Sequence, residues 1–154
     1  MRKYDETVEF RSDSILASLL QKRRAPLTEA AMQQVLQDLT WHITGSFQVL
    51  LAAFVKEEAA GKETVGAAGI DRVDIMYASD EERYLPVFTD LNKLQAFKPQ
   101  LRQKEMILIA DKQDLLDFLH ANGKVAACVV NPGEDDLLLY RMHLQNMIRV
   151  SKER

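Results

Sequence analysis

A chain of 154 residues, 47% hydrophobic and 28% charged, has the size of one compact domain able to bury its own core. Its 20 basic and 23 acidic residues leave a formal net charge of -3, which excludes a global field attracting nucleic acid and excludes an acidic tail. The single cysteine, Cys128 in VAACVV, excludes an internal disulfide and reads as a buried, inert thiol in a reducing, cytoplasmic setting.

The opening MRKYDETVEF puts acids where a signal peptide needs an apolar segment, and no apolar run approaches the ~20 residues of a membrane span. In SILASLLQKRR, Ile15, Leu16, Leu19 and Leu20 recur at helical spacing and predict a short amphipathic helix with a basic end. Pro26 breaks the chain after it, so residues 1–26 read as an N-terminal extension and residues 27–154 as the domain proper. Thr28 is the predicted cap of the next helix, whose apolar stripe is Leu27, Met32, Val35, Leu36 and Leu39.

FQVLLAAFV favours a strand buried on two faces, with its two alanines leaving a helix as the alternative, and the alternation in IDRVDIMYA predicts a half-exposed strand that pairs with its neighbours. SDEER reads as a solvated turn, and YLPVF as a short strand in which Pro86 belongs at an edge or a strand end. DLNKLQAF is a helix capped by Thr89 or Asp90, with Leu91, Leu94 and Phe97 on one face. MILIA is a strand, and DKQDLLDFLHAN a helix capped by Asp111 and stopped by a left-handed Asn122-Gly123. KVAACVVNPG and DDLLLY are two more strands, and RMHLQNMIRV a final helix. The expected fold class is α+β, a single mixed sheet of about five strands with helices packed on it.

RYLPVFTDLNKLQAF, ADKQDLLDFL and VAACVVNPGEDDLLL, in this order, resemble the N-terminal domain of the bacterial SseB family, named for enhanced serine sensitivity. The secretion-apparatus protein of the same name is a different protein. The motifs that carry the resemblance are LPVFTD at residues 85–90 and VNPG at residues 130–133, and it spans residues 48–150. It implies a single α/β sandwich with both motifs near the sheet, and it implies no reaction. The segment between the first and third strands is longer and more charged than the family pattern, and the N-terminal helices have no counterpart in it.

Tested as chemistry, the motifs are sparse. Gly61 and Gly66 stand at P-loop spacing, but Ala67 and Ala68 replace the Lys and Ser or Thr that would meet phosphate and magnesium. His42, His120 and His143 are isolated from one another and from Cys128, and the last turn of a helix explains His120 without a ligand. The acidic runs Asp80-Glu81-Glu82 and Glu134-Asp135-Asp136 lack the alternating oxygen ligands of a calcium loop. No GxSxG elbow is present. QKRRAP is a small basic cluster without the aromatic pattern of an RNA-binding sheet.

These readings predict a noncatalytic bacterial interaction or regulatory module that uses no cofactor or metal and binds neither nucleic acid nor membrane. Its expected partner is another protein, or a second copy docked through the N-terminal helix or an exposed strand edge. The alternative is a domain sensing an amino acid or metabolite, with Thr89, Asp90 and Asn131 as the ligand-binding residues. These lie where a helix start offers free amides and an Asn ends a strand.

Overall fold

Short-range chemistry sets the α-helices among the described residues. Asp13 accepts from the Leu16 N–H and opens α1 (Ser14–Arg24), whose last turn carries Lys22, Arg23 and Arg24 at the negative end of the helix dipole. Thr28 caps α2 (Glu29–Gly45) as expected, and α3 (Glu57–Ala60) is a single turn. Asp90, not Thr89, caps α4 (Leu91–Phe97). Asp111 and Asp114 form a reciprocal capping box at the start of α5 (Lys112–Ala121), and α6 (Arg141–Glu153) follows later in the chain. The stop of α5 differs from the expected left-handed turn: Asn122 has φ -126°, and its side-chain amide donates instead to the Phe118 carbonyl at 2.9 Å.

The computed structural model describes residues 1–78 and 81–154, so the SDEER turn and the first acidic run fall partly outside the described residues at Ser79 and Asp80. The strands are β1 (Arg2–Lys3), β2 (Gln48–Val55), β3 (Ile70–Arg72), β4 (Met76–Tyr77), β5 (Arg83–Val87), β6 (Glu105–Asp111), β7 (Ala127–Val130) and β8 (Leu137–Tyr140). They form two four-stranded sheets, β1-β6-β2-β3 and β4-β5-β7-β8, which corrects the expected single sheet of about five strands.

The reason lies in IDRVDIMYA. It does not run as one strand: β3 pairs with β2, the chain leaves the ladder at Val73–Ile75, and β4 pairs with β5 in the other sheet. Asp74, within the break, is held by Lys98 and Arg102. The sheets share the main core, and a β-bridge links their backbones at Leu50 and Phe88, which exchange two backbone hydrogen bonds of 2.8 Å. That contact exists because β3 covers only the Phe54–Val55 end of β2.

β2 is buried on two faces, as its apolar run predicts. Val49, Leu51 and Ala53 enter the main core with Leu16, Leu20 and Leu115, while Leu50 turns to a smaller core with Phe88, Leu94 and Ile109. Pro86 sits one residue from the end of β5, opposite Val129 on one side and beyond the reach of β4 on the other. Among the described residues, no helix is long and apolar enough to cross a membrane.

Candidate functional site

The only parallel pairing among the described strands is that of β5 with β7, and it ends with Val87 opposite Val130. The two chain segments therefore leave the sheet side by side, LPVFTD from one strand and VNPG from the other. Carboxyl ends of parallel strands are where open sheets commonly bind ligands.

At those ends the polar groups bind one another. The Asn131 Oδ1 accepts from the Thr89 N–H at 3.0 Å, and its Nδ2 donates to Thr89 Oγ1 at 2.9 Å and to Asp135 Oδ2 at 2.8 Å. All three of these residues are buried. Asn131 takes a left-handed φ of 51°, a conformation Asn tolerates better than most residues, and its carbonyl gathers the N–H groups of Glu134 and Asp135 into a tight turn. The turn needs Gly133 at φ 84°, and Asp136 Oδ1 accepts from its N–H at 2.7 Å.

The N-terminal helix reaches this loop. Arg23 donates to the Asp135 carbonyl at 2.7 Å, and Arg24 Nε lies 2.9 Å from Asp135 Oδ1 as an ion pair, without the alignment of a hydrogen bond. Lys93 bonds both oxygens of Glu134 at 2.7 Å, so α1, α4 and the loop are tied by charge. Outside this knot lies an open cavity of about 540 Å³ lined by Phe88, Asp90, Lys93, Phe97, Asn131 and Glu134, among others. Asp90 stands on its wall, with its carboxylate engaged by the Lys93 N–H at 2.8 Å.

The three residues expected as a site are thus gathered in one place, with Thr89 and Asn131 bonded to each other. Sequence reasoning missed Asp135, Arg23 and Arg24 as members. Their only signal was a basic helix end and an acidic loop of opposite sign, more than a hundred residues apart.

A second concavity was also missed. A groove of about 560 Å³ lies between α2, α6 and β8, lined chiefly by Leu36, Trp41, Leu138, Met147 and Val150, with His143 among its few polar groups. Leu36, expected on the inward stripe of α2, is 42% exposed there, and Trp41 is 65% exposed.

Several other titratable groups have local partners. His42 Nε2 lies 2.6 Å from Asp13 Oδ2, joining the end of α2 to the start of α1. His143 Nδ1 accepts from the Tyr140 N–H, and His120 faces Gln145 at 3.4 Å. Burial pushes the Cys128 thiol up to about 12, so it carries no thiolate at neutral pH. Hydrogen bonds from Arg102 and then Lys98 pull the Asp74 carboxyl down to about 2. Beside it, burial of Glu105 favours the neutral acid, but the hydrogen bonds from Lys98 and from the Arg102 backbone and side chain, with the charge of Lys98, together outweigh it and the pKa is lowered. Among the described residues, no group of three or more His, Cys, Asp or Glu side chains is placed to hold a metal ion.

The family model for the SseB protein N-terminal domain matches residues 16–145. The chain belongs to the SseB family. The match takes in α1 from Leu16 onward, α2, the β5 and β7 motifs and the Asn131 turn, which corrects the expectation that the N-terminal helices have no counterpart in the family. Searches of curated proteins and of solved structures found no match to it.

Proposed function

We propose that this SseB-family chain is a noncatalytic bacterial module that works by protein interaction or regulation in the cytoplasm. One observation carries the reading: its signature polar groups are bonded to each other, whereas an apolar groove beside Trp41 stays open. Buried polar side chains that satisfy one another hold a fold in register, and an exposed apolar concavity is a contact surface. Residues 1–26 act in this reading as an extension clasped onto the domain of residues 27–154, through Leu16, Leu20 and Arg24. The test is a broad hydrolase and transferase screen of the purified chain. The expected result is no turnover, and turnover abolished by one polar substitution overturns the reading.

The second reading is a small-ligand sensor at Thr89, Asp90 and Asn131. It is favoured by the cavity at the parallel strand ends, where Phe88 and Phe97 form an apolar wall beside the Lys93–Glu134 ion pair. A ligand at 100 times its dissociation constant would stabilise the fold by about 2.7 kcal/mol, so a thermal-shift panel of amino acids and metabolites separates the two readings.

A further inference from the structure

We propose that residues 5–12 form a strap that swings off the smaller core as a unit of its own, hinged at Tyr4 and Asp13, and uncovers the apolar junction of the two sheets. This device goes beyond the interaction reading and stands or falls separately from it.

Both ends of the segment are fastened. Before it, Lys3 pairs with Leu108 of β6 and the Tyr4 N–H donates to the Ile107 carbonyl at 2.9 Å. After it, Asp13 caps α1 and lies 2.6 Å from His42. Between these anchors, the hydrogen bonds and ion pairs of residues 5–12 are all internal among the described residues. Asp5 Oδ1 accepts from the Thr7 N–H at 2.8 Å and from the Thr7 hydroxyl at 2.6 Å, the Asp5 carbonyl accepts from the Val8 N–H at 3.1 Å, and Arg11 pairs with Glu9 at 2.6 Å. The turn at Asp5 lifts the chain off the edge of β6, although that strand continues back to Glu105.

Apolar contact alone holds the strap down. Val8 and Phe10 alternate with the exposed Thr7, Glu9 and Arg11, and they pack half-buried against the smaller core of Leu50, Phe88, Leu94 and Ile109. Two half-buried side chains stabilise far less than the main core does, so the strap opens at a lower free energy than the whole fold. Lids over functional surfaces are drawn from such segments. Beneath the strap, the Leu50–Phe88 bridge joins the two sheets, and Phe88 belongs to LPVFTD. The strap therefore closes over the apolar side of the signature whose polar side is the Thr89–Asn131 pair. The occupant of this face is a segment of the same chain, which makes the contact an autoinhibitory cover.

Thiol labelling of the full chain tests this, with circular dichroism as the check on folding. Ile109→Cys places a thiol beneath the strap, and native Cys128, buried in the main core, reports global unfolding. Under native conditions the introduced thiol is expected to react with a disulfide reagent at least about ten-fold faster than Cys128. Phe10→Ala weakens the closed state and is expected to speed the introduced thiol roughly ten-fold. Leu144→Ala, fully buried in the main core, is expected to speed Cys128 and leave the introduced thiol unchanged. Equal rates for the two thiols overturn the proposal. So does an introduced thiol that Leu144→Ala accelerates as much as Cys128, or that Phe10→Ala leaves unchanged. If Ile109→Cys does not fold, trypsin decides on the wild type: cleavage after Arg11 while the circular dichroism stays native is expected, faster in Phe10→Ala. Resistance of that bond until the whole chain unfolds overturns the proposal. Neither readout depends on whether the chain turns over a substrate.

Discussion

Asn131 and Thr89 hold each other through two hydrogen bonds of opposite sense, side-chain amide to hydroxyl and backbone N–H to side-chain carbonyl, across the ends of β5 and β7. Removing one partner strands the other in the interior, where an unsatisfied polar group costs about 1–3 kcal/mol. Asn131→Ala also loses the bond to Asp135 and places alanine at φ 51°, so it is expected to lower stability by about 2–4 kcal/mol. Thr89→Val keeps the backbone bond and should cost only about 1–2 kcal/mol. Urea unfolding with an unchanged m-value measures the two.

Arg24 ties α1 to the same turn. Arg24→Gln leaves the buried Asp135 carboxylate without its cation, and Arg24 is itself 41% exposed in its side chain, which reduces the effect to about 1–2 kcal/mol. A double-mutant cycle with Asp135→Asn should return a coupling energy of the same sign, and additivity would show that the pair does not interact.

α1 is bound by packing as well as by charge. Leu20 is 1% exposed within the main core, so Leu20→Ala is expected to cost about 2–5 kcal/mol in a single unfolding transition. Ile15, on the outer face of the same helix and 59% exposed, should change stability by less than about 0.5 kcal/mol when replaced by alanine.

The Asp74 cluster makes stability depend on acid. Its folded pKa lies below the ordinary value, so its contribution is complete above about 3.8 and is lost as pH falls through about 2. Asp74 is half exposed, which limits the effect to about 1 kcal/mol or less. Comparing urea midpoints at about pH 5 and about pH 2.5, Asp74→Asn should lose less stability on acidification than the wild type, and added salt should narrow the difference.

Much of this architecture was legible locally. The caps at Thr28 and Asp111 and the two-faced burial of β2 follow from side-chain chemistry within a few residues, and all are present. The choice of Asp90 over Thr89 as cap turns on a distant event, because Thr89 is taken by Asn131, 42 residues away. The division into two sheets was not legible, since the alternation in IDRVDIMYA fits one strand equally well and the partners that part it, β2 for β3 and β5 for β4, lie elsewhere in the chain. Likewise the groove beside Trp41 exists only once α2, α6 and β8 are assembled. Leu36 on its helix wheel looks like any other core residue.

The central claim is that the Thr89–Asn131 pair holds the fold and that the chain acts through its surface. A thermal-shift panel of amino acids and metabolites on the wild type and on Thr89→Val tests it most directly. The account predicts no raised midpoint for either protein. A compound that raises the wild-type midpoint by roughly 5–10 °C near saturation, with the shift lost in a folded Thr89→Val, would contradict it.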